Sequence, residues 1–408
     1  MPTEEVVEPP SETTARRGKI GTKRKLVFSL LVAILCYVVV ESALTYLYLQ
    51  GRLDPELIWV IERQGETRHM EAEGIRGYRI SAKPARMLCI TTDGRIESAG
   101  ELRGNNQGFP DRDDFQAART DANMKRLAVF GDSFTAGPYL ELNWPDQVEK
   151  ITRRRGQPLE MLNFSVFGGG LANWWSILTR MIERDDYQLD GVIFVVFVDD
   201  LQRTFYVCDD ARYEQFPEVE PKLACGFSDS FDPTTFEDVN VKFMRHTRIV
   251  SPEIIDQALE GHWRPDFSRP FELFIVKRFR RLIGGANSDR ESNTPATTGK
   301  PADSSFTPDQ QQLISDIANY LKQRELPAWV YHFPAGSSVA QAREFAERLG
   351  ATYVDASLAF QGLSAEEQDA CWMIDGHWNQ TGSDRFAEWF IQVNSGSQTP
   401  DAARRTAP

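Results

Sequence analysis

The stretch on which the reading turns is Arg126-Leu127-Ala128-Val129-Phe130-Gly131-Asp132-Ser133-Phe134-Thr135-Ala136-Gly137. Four apolar residues closed by a glycine read as a short buried strand. A serine directly after such a strand can sit on a tight turn into a helix. The helix N-terminus then presents N–H groups to a developing anion. The spacing is not the G-x-S-x-G elbow of α/β-hydrolases. An ordinary turn with Ser133 as helix N-cap would use the same residues.

On both sides of this stretch the hydrophobic pattern alternates. Residues 144–155 read as a helix, 159–164 as a strand, 171–184 as a helix and 192–198 as a strand. The run Val192-Ile193-Phe194-Val195-Val196 is all apolar and mostly β-branched, as in a parallel strand buried on both faces. Further on, helices are predicted at 310–322, 340–349 and 382–393, and strands at 328–333 and 352–354. Strand–helix alternation predicts an α/β layered fold with a mostly parallel sheet. Ligand sites in such sheets form at the carboxyl ends of strands.

Residues 201–309 break this rhythm and read as an insertion in a catalytic unit of residues 125–393. Within it, 284–308 is rich in Ser, Thr, Pro, Gly and Asp, the composition of a flexible loop. Residues 394–408 read as a disordered tail. Residues 50–124 show no long periodic run. Strand-like pieces at 57–61 and 87–91 suggest a stalk or small irregular subdomain. No internal repeat is present.

The 408 residues carry a formal charge of −13 at pH 7. That balance argues against a basic nucleic-acid footprint. Positive charge nevertheless gathers at Arg16, Arg17, Lys19, Lys23, Arg24 and Lys25. It directly precedes LVFSLLVAILCYVVVESALTYLYL, residues 26–49, whose one ionisable carboxylate is Glu41. Roughly 20 apolar residues span a bilayer as a helix. Basic residues before them place the N-terminus in the cytoplasm. The expected layout is a cytoplasmic basic tail at 1–25, a single-pass anchor at 26–49 and an extracytoplasmic remainder, periplasmic or at the cell surface. The competing reading is a cleaved signal peptide, but the apolar run is long for one and Ser42-Ala43 beside Glu41 is a poor cleavage site.

Outside the span lie Cys89, Cys208, Cys225 and Cys371, an even number in an oxidising compartment. Cys208 and Cys225 bracket a short polar loop and are the expected pair; four free thiols is the alternative. No cysteine or histidine cluster has zinc spacing. No metal and no cofactor are expected.

Two further segments carry chemistry. Asp375-Gly376-His377 lies just before the last predicted helix, and a carboxylate near a histidine can orient its ring as a general base. Asn163-Phe164-Ser165-Val166-Phe167-Gly168-Gly169-Gly170 follows a strand, and its glycines permit close backbone approach to a ligand. Serine, glycine and Asp-x-His together supply a nucleophile, an oxyanion donor and a base with its orienter.

The order and context of these blocks resemble the SGNH/GDSL hydrolase family over about residues 125–392, excluding the insertion. The resemblance implies a flavodoxin-like three-layer sandwich, Ser133 as nucleophile, His377 as base and Gly168 as the oxyanion glycine. There are two departures. Asp375 stands two residues before His377 rather than three, as in the acetyltransferase-like branch typified by alginate O-acetylation proteins. The family's oxyanion asparagine is replaced by Asp199. An ionised carboxylate about 4 Å from the oxyanion would add roughly 4 kcal/mol of repulsion at an effective dielectric of 20. Asp199 must therefore be protonated or turned away, or the site is silent.

Three functions follow from this. The first is a membrane-anchored, outward-facing serine esterase that removes small acyl groups, such as acetyl, from a glycan or other surface ester. The second is a polysaccharide O-acetyltransferase on the same site, which would need a polytopic membrane partner to supply acyl groups. The third is a catalytically silent glycan-binding scaffold, with Trp174-Trp175 as a sugar platform; as core residues of a helix the two would have no such role.

Overall fold

In a computed structural model, the structure describes residues 22–49, 57–65, 67–91, 94–197, 199–209, 224–228, 239–240, 247–263, 306–334 and 338–394. The basic tail before Thr22, most of the loop predicted at 284–308 and the tail after Asn394 lie outside these residues.

The central sheet has five strands: β6 (Lys125–Phe130), β7 (Leu159–Asn163), β8 (Gly191–Val196), β13 (Ala328–His332) and β14 (Thr352–Asp355). Their order is β14-β13-β8-β6-β7, and every pairing is parallel. Counted in chain order from the β7 edge this is 2-1-3-4-5, the flavodoxin-like arrangement, with its topological switch point between β6 and β8. β8 sits at the centre with all six residues buried, which accounts for its unbroken apolar run.

Helices cover both faces. α3 (Trp144–Arg154) and α9 (Gln380–Asn394) pack together, and α4 (Leu171–Ile177), α6 (Pro308–Gln323) and α7 (Ser338–Leu349) form a second layer. α3 is closed by the Asn143 side chain, which accepts from Asp146 N, with proline in its first turn and Arg153 and Arg154 in its last. Each choice satisfies free backbone groups or the helix dipole. α6 begins at Pro308 under a capping box of Thr307 and Gln310, so the predicted flexible loop ends earlier than Pro308. The helix expected over 171–184 changes to a π-helical turn at Leu178–Ile182.

The residues read as a stalk build a regular sheet. β1 (Leu57–Glu62), β4 (Ala85–Thr91), β5 (Ile96–Leu102) and β12 (Thr247–Val250) run in the order β12-β1-β4-β5. β1 pairs parallel with β12 from the 201–309 segment and antiparallel with β4. All six β1 residues are buried, and period-2 alternation divides the five apolar ones between two cores. Leu57, Trp59 and Ile61 join the main core. Ile58 and Val60 pack with Leu88 and Ile90 against Ile255 and Ala258 of α5 (Pro252–Leu259).

β9 (Phe205–Asp209) and β10 (Ala224–Ser228) pair antiparallel, with Cys208 opposite Cys225. Cys208 is disulfide-bonded. Cys89 and Cys371, counted with it as possible partners, are buried free thiols. The N-terminal helix α1 (Thr22–Leu49) contains one span, Lys23–Leu44, long and apolar enough to cross a membrane. Its Leu26, Phe28, Leu30 and Leu35 are exposed, unlike the side chains of a core helix.

β7 is an edge strand, and buried carboxylates close its outer side. Glu149 Oε1 accepts from Met161 N at 2.6 Å, and Asp111 Oδ2 accepts from Asn163 N at 3.0 Å. Capping these N–H groups removes an edge that could otherwise recruit another strand. Burial pushes the Glu149 carboxyl up to about 8 and Asp146 beside it to about 7. The folded state therefore keeps protons that the unfolded chain releases near 4.5 from Glu149 and near 3.8 from Asp146. Stability falls as pH rises from about 4.5 to 8. Glu149→Gln, which can still accept from Met161 N, is expected to flatten the fall in thermal midpoint between pH 5 and 8.5. A slope equal to that of the parent would refute this.

Candidate active site

β6 ends at Phe130, and the chain turns through Gly131 and Asp132 into α2 (Ser133–Ala136). Asp132 caps this single turn, accepting from Phe134 N at 3.0 Å. Gly137 closes it in the left-handed region at φ 50°. Gly131 must be glycine: a Cβ there would lie 2.3 Å from Thr135 Oγ1. Its carbonyl accepts from Val166 N at 3.2 Å and from Trp174 Nε1 at 3.3 Å. Trp174 is fully buried, so it braces the turn that carries Ser133 and is no sugar platform; Trp175 packs partly buried against the same core.

The second element is the loop after β7. Gly168 takes φ 79°, and a Cβ there would lie 2.6 Å from the Tyr206 ring. Neither the Ser133 nor the Gly168 amide N–H has an acceptor among the described residues. Asn163 is spent on structure: its side-chain amide donates to the Pro110 and Thr135 carbonyls.

The third element is the turn that carries Asp375 and His377. Met373 N donates to His377 O at 2.6 Å, Gly376 N donates to Met373 O at 2.9 Å, and Trp372 bridges to Trp378. Gly376 has φ 90°, a conformation that favours glycine. The buried Trp378 donates its indole N–H to Phe134 O at 3.0 Å, which ties this turn to α2. The Phe134 ring stacks on His377 with centroids 4.8 Å apart.

These ties bring residues 244 positions apart into contact. Ser133 Oγ lies 2.9 Å from His377 Nε2. His377 Nδ1 lies 3.1 Å from Asp375 Oδ2, but the ring N–H is not aligned for a hydrogen bond there. The contact becomes an ion pair once the ring carries a second proton. Asp375 Oδ1 accepts from the His377 backbone N–H at 3.1 Å, and Oδ2 accepts from Trp59 Nε1 at 3.1 Å. Burial pushes the Asp375 carboxyl up, but His377, through its ring and its backbone N–H, and the Trp59 indole outweigh this and hold it below the ordinary value. The site thus presents a hydroxyl in contact with a ring nitrogen, and a carboxylate kept ionised on the far side of the ring.

Asp199 is turned onto Arg203. Its Oδ1 lies 2.6 Å from Arg203 Nη2, and its side chain is 56% exposed. The buried carboxylate of this pair is its neighbour, Asp200, which accepts from Phe197 N at 2.9 Å and lies 2.6 Å from Arg203 Nη1. The same nitrogen is 3.3 Å from Asp132 Oδ2 and donates to Gly169 O at 3.2 Å. Arg203 therefore joins the residue before Ser133 to the residue after Gly168. Sequence reading missed both Arg203 and Trp59. Among the described residues no group of three or more His, Cys, Asp or Glu side chains could hold a metal ion.

No family model matches the chain, and a search of curated proteins gave no match. Among solved structures it is similar to the psychrotrophic esterase EstA of Pseudoalteromonas sp., at 10% identity and TM-score 0.33, covering 66% of this chain and 97% of that one. A second is a lipolytic protein of the G-D-S-L family from Desulfitobacterium hafniense, at 11% identity and TM-score 0.29, with 66% and 98% covered. A third is AlinE4, an SGNH-hydrolase family esterase, at 14% identity and TM-score 0.26, with 71% and 100% covered.

Proposed function

We propose that this chain is a serine ester hydrolase, and the observation that carries the proposal is the 2.9 Å contact between Ser133 Oγ and His377 Nε2. That separation lies within the reach a general base needs. Ser133 Oγ attacks the ester carbonyl as its proton passes to His377 Nε2. The N–H groups of Ser133 and Gly168 receive the oxyanion. His377 returns the proton to the departing alcohol, leaving an acyl-serine. Water, deprotonated by the same ring, then releases the acid. Asp375 stabilises the transient imidazolium.

Asp199 weighed against turnover while its carboxylate had no partner. Its 2.6 Å pairing holds that carboxylate on Arg203, which supports a working site. Removing one oxyanion donor costs about 3–4 kcal/mol, so a hole made of two backbone N–H groups alone would be slow but functional. We extend the proposal to an anchor at residues 26–49 and an outward-facing catalytic unit, supported by the basic flank and the exposed apolar helix. The substrate class we propose is a small acyl ester, acetyl foremost, on a glycan or other surface molecule. Deacylation by a sugar hydroxyl instead of water would make the same site an O-acetyltransferase, and the Asp-x-His spacing is the feature that favours it.

The test is aryl acetate hydrolysis by the full chain in detergent, beside its Ser133→Ala variant. Serine-dependent release supports the proposal, and its absence from folded protein refutes it. Gly168→Ala probes the hole. Its methyl would meet the Tyr206 ring at 2.6 Å, in a backbone region that costs a non-glycine residue about 1–3 kcal/mol. The expected result is a kcat about 10²-fold lower. Full activity in that variant would remove Gly168 from the hole.

A further inference from the structure

The carboxylate that faces His377 is held from outside the α/β unit. Trp59 lies on β1, 316 positions before Asp375, and its indole N–H donates to Asp375 Oδ2 at 3.1 Å. We infer that Trp59 is a positioning residue whose indole N–H holds Asp375 in the orientation that steers His377. This inference rests on the esterase reading above.

Three features of the structure support it. The Asp-x-His turn holds its own pair loosely: Oδ1 is taken by the His377 backbone N–H, and Oδ2 lies 3.1 Å from His377 Nδ1 without the geometry of a good hydrogen bond. A second donor on Oδ2 is then what fixes the carboxylate plane. Trp59 is itself fixed. It is buried in an inner strand, in register with Cys89 on one side and Thr247 on the other. Tyr139 and Phe167 pack edge-on against its ring with centroids 4.9 and 5.5 Å away. The same ring also meets His377 edge-on at 5.1 Å, so one side chain locates both members of the pair.

A hydrogen bond to an ionised group is strong enough that its loss is felt as about tenfold or more in rate. In the full chain in detergent, Trp59→Phe keeps most of the packing and removes the N–H. The expected result is a kcat for aryl acetate about tenfold lower or more, with KM within about twofold. In an Asp375→Asn background the same substitution should change kcat by less than about twofold, because the N–H no longer serves a carboxylate. Unchanged kcat in the single variant, or fully additive losses in the double variant, would overturn the inference.

A second readout needs no turnover, and its indole arm needs no Trp59 variant. In ¹⁵N-tryptophan-labelled protein, the most downfield indole N–H signal is expected to move on Asp375→Asn. In ¹³C-histidine-labelled protein, the His377 ring signal should move on Trp59→Phe. Indole signals that all stay in place on Asp375→Asn overturn the inference. Both shifts in a protein without Ser133-dependent turnover support the positioning contact and refute the esterase reading instead.

Discussion

Ser133→Ala is expected to lower kcat for ester hydrolysis by about 10⁴-fold or more, with little change in the thermal midpoint. The size of the loss follows from the proposed role as nucleophile. Without the hydroxyl no acyl-serine forms, and what remains is the contribution of the oxyanion donors and of binding. The small effect on stability follows from the surroundings. Ser133 is nearly buried, yet its hydroxyl's partner is the His377 ring, and the helical turn it opens is capped by Asp132 rather than by Ser133. An alanine at this first helical position loses no cap. A structural serine would give the opposite pattern, with a lower midpoint and turnover retained. Hydrolysis and circular dichroism on the same preparation separate the two.

The α/β unit was legible because its signals are local. A parallel strand buried on both faces shows as an unbroken apolar run, and β8 carries one. The tight turn after β6 shows as glycine beside serine. The Asp-x-His turn shows as three adjacent residues. What the sequence did not show depends on contacts between distant segments. Trp59 is one of nine tryptophans, and nothing near it in the chain points to Asp375. β12 has no pattern that announces β1 as its neighbour. Which of Asp199 and Asp200 faces inward is set by one short 3₁₀ turn, Asp200–Gln202, which leaves Asp199 exposed and buries Asp200. Composition cannot resolve a difference of one position, although Arg203 four residues after Asp199 was a readable partner. Trp174 shows the converse. A tryptophan beside a glycine block suits a binding platform, but on a helix facing the sheet the same residue is buried.

Arg203→Met is expected to destabilise the protein by about 3–5 kcal/mol, the cost of leaving buried carboxylates without their cation. Arg203 is 19% exposed, while Asp132 and Asp200 are 3% and 0% exposed. Asp200 is pushed up by its burial and then by the charge of Asp132; the guanidinium and, after it, the Phe197 N–H oppose this. Methionine fills the space and removes the charge. Adding Asp200→Asn should recover part of the loss, since asparagine can still accept from Phe197 N without carrying charge. Arg203→Lys should fall between, because an ammonium cannot present a planar fork to Asp199 with one nitrogen and to Asp200, Asp132 and the Gly169 carbonyl with the other. Thermal unfolding of the four proteins reads the series, and equal midpoints for Arg203→Met and the parent would show that the cluster contributes nothing. The ordering also bears on chemistry. Arg203 contacts the residue before Ser133 and the residue after Gly168, so its loss should lower kcat in Arg203→Lys by more than the change in midpoint accounts for. A single part-buried cation would then set both the rigidity of the turn that offers the hydroxyl and the spacing of the two N–H groups proposed to receive the oxyanion.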